Sequence, residues 1–118
     1  MHKFPPVAEM AHLIGDTLEQ VCLDPFSTQF RFERNFLISE YAVEHTEPDG
    51  TVWKFQCVAS EAPPTLLHHL VGRTVDDVRS EGFRLILLFN DGAALHVLSA
   101  AGPYEAGHIE GCDKFIVF

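Results

Sequence analysis

The chain has 118 residues, 47% of them hydrophobic and ten of them Phe, and its 17 acidic side chains against 8 basic ones give a formal net charge of −9. This length suits one domain with a real core, and this apolar content excludes a disordered chain, which needs low hydrophobicity joined to high charge. The negative field repels phosphate backbones, so nucleic acid is not the expected partner and a basic protein surface is.

In chain order, the first element expected is a short helix over residues 6–13. Pro6 suits a first helical turn, and Gly15 suits the position just past the last one. TLEQV then half-alternates apolar and polar residues, as a strand exposed on one side does. FSTQFRFERNFLIS reads as two strands joined by a turn, with Asn35 as the residue that best tolerates a left-handed backbone after Gly. Strands over 41–46 and 51–58 flank EPDG, where Pro48 and Gly50 fit the second turn position and the left-handed one.

The series then begins again. A second short helix is expected over 63–70, followed by the strand TVDDV and by GFRLILLFNDGAALHVLS, a hairpin turning at NDG. Strands over 104–110 and 114–118, joined at GCD, complete it. Shifting the sequence by 57 positions lays HLIGDTLEQV on HLVGRTVDDV, superimposing His12 on His69, Gly15 on Gly72 and Thr17 on Thr74, and further on Phe26 on Phe83 and Phe32 on Phe89. The expected architecture is α+β: about eight strands of mainly antiparallel sheet, curved or in a partly open barrel, with two short helices. One domain would be made of two repeats, about 6–58 and 63–118, related by a pseudo-twofold axis and sharing one core, since half the chain alone would be marginal.

Pairing within the hairpins follows from keeping one face apolar. A three-residue loop puts Phe32 opposite Phe36 and Phe30 opposite Ile38, and puts Leu87 opposite Leu95 and Leu85 opposite Val97. The other face carries Gln29, Arg31 and Glu33 in the first hairpin but Ile86 and Leu88 in the second. The strand over 84–89 is therefore expected to be covered on both sides, and a homodimer through Ile86, Leu88 and His96 would do that.

LLFNDGAALHV followed by GPYEAGHI resembles a recurring pattern in an uncharacterised group of small bacterial proteins, in which LVG precedes LxFxDGxxLxV and a YES or YEA triplet leads the next strand. The resemblance runs from Leu70 through Ile109, with a weaker echo from Leu13 to Ile38. Some relatives in that group resemble immunity proteins that neutralise a toxin, so an immunity-type role is what the resemblance implies.

Known enzyme signatures are missing from the sequence. There is no GxSxG, GxxxxGK or GxGxxG, so no catalytic residue and no cofactor is assigned. The seven His residues lack HExxH or paired Cys/His spacing, so no metal ligand is assigned. Cys22, Cys57 and Cys112 fit neither a disulfide framework nor a metal knuckle and are expected to be buried, reduced thiols. No apolar run reaches the ~18 residues of a membrane span, and MHKFPPVAEM lacks a secretory apolar segment, so a cytoplasmic protein without a membrane partner is expected. The leading reading is a non-enzymatic protein–protein interaction module that meets a basic partner through Glu33, Glu40, Glu44, Glu47 and Asp49. The alternative is a small-ligand-binding or enzymatic module with a pocket near Tyr104, Glu105 and His108.

Overall fold

A computed structural model describes residues 2–57 and 65–118, and these form ten antiparallel strands in two open sheets of five. A 3-10 helix, Val7–Leu13, leads into β1 (Leu18–Leu23), β2 (Thr28–Phe32), β3 (Asn35–Ser39), β4 (Ala42–Thr46) and β5 (Val52–Gln56). A second 3-10 helix, Leu67–Leu70, leads into β6 (Val75–Ser80), β7 (Arg84–Phe89), β8 (Ala94–Leu98), β9 (Gly107–Gly111) and β10 (Lys114–Val117). The expected helix over 63–70 lies partly outside the described residues, as does the end of the strand expected over 51–58. Both helices are tight 3-10 segments because they are short: fewer than about two α turns cannot recover the cost of nucleation.

The halves exchange hairpins. The first sheet runs β1-β2-β3-β9-β10 and the second β5-β4-β8-β7-β6, so the last two strands of each half complete the sheet begun by the other. Ten strands in two sheets thus replace the roughly eight expected in one, and neither sheet closes on itself. One continuous apolar cluster takes the inward residues of both, including Phe30, Leu37 and Ile109 from the first and Leu85, Leu87, Leu95 and Val97 from the second.

The contacts at the junction are reciprocal. After each 3-10 helix the chain reverses at a glycine, Gly15 with φ +86° and Gly72 with φ +87°, a conformation costly for any residue with a Cβ. The Gly15 amide then donates to the Val75 carbonyl and the Gly72 amide to the Leu18 carbonyl, both at 2.7 Å. Leu18 N and Val75 N likewise reach the Arg73 and Asp16 carbonyls at 3.0 and 2.9 Å. At the centre the hydroxyls of Thr17 and Thr74 share a 2.9 Å hydrogen bond, 57 residues apart in sequence. Thr17→Val should cost about 1 kcal/mol, and adding Thr74→Val should cost less than the two singles together, because the first substitution already leaves the other hydroxyl without its partner. Urea unfolding of the four proteins of this cycle measures the coupling, and strict additivity would show that the bond contributes nothing.

In the second half the hairpin register is the expected one, with Leu85 opposite Val97 and Leu87 opposite Leu95. In the first half it is one residue different: Phe30 faces Leu37 and Arg31 faces Phe36. Glu33 and Arg34 alone lie between β2 and β3, and Asn35 opens β3 with its side chain buried rather than taking the left-handed turn position. Phe36 and Ile38 are thereby turned away from the core, where Leu37 takes their place.

Candidate functional site

A cleft of about 190 Å³ opens beside the second sheet, lined by His45, Glu47, Pro48, His69, Arg73, Asp91 and Ala93. The alternation of β4 turns Val43 and His45 inward while Glu44 lies on the other face, where it ion-pairs with Arg84 at 3.0 Å. His45 is 1% exposed, and neither of its ring nitrogens has a hydrogen-bond partner. It faces Leu95 across the ladder, as Ile109 faces Leu37 in the first sheet, so an imidazole stands where the other half has an aliphatic side chain.

A hydrogen-bonded pair and an ion pair rim the cleft. His69 Nδ1 lies 2.6 Å from Glu47 Oε1, and this hydrogen bond is the main reason the Glu47 carboxyl titrates below its ordinary range. Arg73 Nε lies 2.8 Å from Asp91 Oδ2. The first half has a pair at the corresponding positions with the charges exchanged, Asp16 with Arg34 at 3.6 Å. There the space is filled: Asn35 Nδ2 donates to Asp16 at 2.7 Å and to the His12 carbonyl at 3.2 Å. Ala93, the residue preceding β8 as Asn35 precedes Phe36, leaves the corresponding space in the second half open.

Burial, with Coulomb contributions from neighbours of both signs (Glu47, His69, Asp91 and His68), holds the His45 imidazole below its ordinary pKa. Burial also lowers His12, and burial with Arg84 lowers His96. The unfolded chain accepts protons near pH 6.5 that these folded imidazoles resist, so their contribution to stability is intact above that pH and is lost as the pH falls through the depressed folded values. His45→Ile, which installs the aliphatic residue of the other half, should raise stability by about 1–2 kcal/mol at pH 7.5, since a buried polar group without partners is removed. The same variant should unfold less readily at pH 5. Thermal melts of both proteins between pH 5 and 8 check this, and a parallel pH dependence would mean that His45 is not the group responsible.

The residues singled out from sequence lie elsewhere or in other roles. Tyr104 is 79% exposed in the bend before β9 and not on a strand with His108; Glu105 is exposed as well. His108 stacks on Phe115 with ring centroids 4.8 Å apart, and its Nε2 lies 3.1 Å from Glu110. The cleft lining thus includes none of Tyr104, Glu105 and His108. Of the five acidic positions, Glu33 sits in the β2–β3 turn and Glu40 just after β3, while Glu44 and Glu47 are held by Arg84 and His69, and Asp49 caps its own turn through the Thr51 amide. Ile86, which is buried, and Leu88, which is partly buried, lie on the outer face of the second sheet with His96, which meets Arg84 at 2.9 Å; the 3-10 helices pack mainly on β6 and β1. Only Cys57 of the free thiols is buried, with its pKa raised by that burial; Cys22 is half-buried and Cys112 exposed.

The outer face of the first sheet is the other notable surface. The ladders place Gln20, Arg31, Phe36, Glu110 and Phe115 in one row across all five strands, and Cys22, Gln29, Ile38, His108 and Val117 in the next. Arg31 lies over the Phe36 ring at 5.2 Å, and Phe115 is 62% exposed. Among the described residues no group of three or more His, Cys, Asp or Glu side chains is placed to hold a metal ion, and no helix is long and apolar enough to cross a membrane.

The missed site had a faint signal in the sequence. At the 57-residue offset Asp16 falls on Arg73 and Arg34 on Asp91, two mismatches that are complementary to each other and so preserve an ion pair with its polarity reversed. No protein-family model matches the chain, and the searches of curated proteins and of solved structures gave no match either.

Proposed function

We propose that the protein is a non-enzymatic recognition module that binds a basic protein partner through the outer face of its first sheet. The observation that carries this reading is the pair of cross-strand rows there, in which Phe36, Phe115, Ile38 and Val117 alternate with Arg31, His108 and Glu110. Aromatic anchors with Arg among them, inside a polar rim, are enriched in protein interfaces. The net charge of −9 favours a partner of opposite sign and speeds its approach. Glu33 at the sheet's turn belongs to this rim, whereas Glu44 and Glu47, already paired within the chain, contribute less than their charge suggests. The chain would be two copies of one unit around a shared core, and a bacterial immunity-type role, neutralising a basic toxin domain, is the form of the reading that the sequence resemblance suggests.

Affinity capture from the source cell's extract, followed by binding measurements on the purified partner, tests this. Phe115→Ala with Phe36→Ala should weaken binding at least tenfold, and raising the salt should slow association more than it speeds dissociation. A partner bound equally well by the double variant would refute the assignment of the face.

A further inference from the structure

We propose that the cleft of the second sheet is a binding site for a small zwitterion of the amino-acid class. This goes beyond the recognition role and uses a different surface. The cleft volume of about 190 Å³ is below that of a drug-sized pocket and suits a small metabolite. Its rim offers both signs of charge, the Arg73 guanidinium against the Glu47 and Asp91 carboxylates, with the His69 imidazole hydrogen-bonded to Glu47. A ligand with a single charge would meet a like charge on one side of the cleft; a zwitterion meets an opposite charge on each. The existing pairs can be exchanged cheaply, because Arg73 is about half exposed and such exposed pairs contribute ~1 kcal/mol or less. The ligand carboxylate takes the place of Asp91 on the Arg73 guanidinium, and its ammonium lies against Glu47 and the released Asp91.

Two features separate this cleft from an accidental gap. His45 lines it with a donor and an acceptor that nothing in the fold uses, at a place where the other half has Ile109. Burying such a group has a cost that an aliphatic residue, such as Ile109 at the corresponding place of the first sheet, avoids. The cleft also exists because Ala93 stands where the first half has Asn35, whose amide closes the corresponding space over Asp16. The two halves therefore share a frame but differ where a ligand would sit.

The test is titration of the full chain by calorimetry and by NMR of the histidine ring resonances. The probes are L-serine, propionate, propylamine and glycerol, each taken to about 10 mM, enough to detect a ~1 mM Kd. L-serine should bind and move the His45 and His69 resonances, while the other three should not. Ala93→Asn, which fills the cleft with the side chain of the other half, should weaken binding at least tenfold, as should Arg73→Gln. His45→Ile should do so while leaving the fold at least as stable. Absence of serine binding, equal binding of a singly charged or neutral probe, or affinity unchanged in Ala93→Asn and His45→Ile would each overturn the proposal. Loss of partner capture by the Phe36 and Phe115 variants leaves it untouched.

Discussion

Gly107→Ala is expected to destabilise the protein by about 3 kcal/mol or more. Gly107 opens β9 with φ +157°, opposite Ser39 at the seam where the C-terminal hairpin joins the first sheet. A Cβ there would run into the Ile38 carbonyl oxygen and the ring of Phe118. The obstacle is backbone, so rotating a side chain cannot relieve it; either β3 or β9 must move. Moving β9 also strains the end of the chain, because Phe118 donates to the Gly107 carbonyl at 3.1 Å and accepts from Ala106 at 2.6 Å while its buried ring packs on Phe4. Ordinary overpacking costs about 1–3 kcal/mol, and here a ladder is disturbed as well. Gly50→Ala is the control, since its turn has a positive φ but open space around the added methyl, and it should cost only about 1 kcal/mol. Urea unfolding gives both values; a loss below 1 kcal/mol at Gly107 would show that the two strands are less closely held than the ladder implies.

The seam also shows what the sequence can and cannot convey. Repetition of HLxGxTxxxV was legible, and so was the register of the NDG hairpin, because Gly92 takes the left-handed backbone its place in the loop requires. The exchange of hairpins was not. Alternation of apolar residues tells which side of a strand faces the core but not which strand lies beside it, and β3 next to β9 is a pairing between distant parts of the chain. Asn35 misled for a related reason. Read locally it is a turn residue; in the fold its amide has a buried carboxylate to bind, and that tertiary bond draws it into β3 and shifts the register by one. Nothing local in AVEHT marks His45 as taking an aliphatic residue's place in the core. Tyr104, by contrast, attracted notice through its YEA context and is out in solvent.

Asp16→Ala should cost about 3 kcal/mol, and the reason is specific to the first half. Asp16 is 1% exposed, and its two oxygens accept the Arg34 amide at 3.2 Å each, the Asn35 side-chain amide at 2.7 Å and the approach of the Arg34 guanidinium at 3.6 Å. Deleting the carboxylate leaves the Arg34 amide without an acceptor and Asn35 with only the His12 carbonyl, in a place where groups left unsatisfied cost about 1–3 kcal/mol each. Asp16→Asn keeps one acceptor oxygen and should cost roughly half as much. At the corresponding place in the second half, Arg73→Ala breaks a pair of which the Arg is half exposed and should cost less than about 1 kcal/mol. Reversing the first pair, Asp16→Arg with Arg34→Asp, copies the polarity of the second half but should not restore stability, because Asn35 then faces a second donor instead of an acceptor. Urea unfolding of these four variants separates the two sites: a small loss in Asp16→Ala, or full recovery in the reversed pair, would mean that charge pairing rather than the buried hydrogen bonds to Asp16 holds the β2–β3 turn against the first helix.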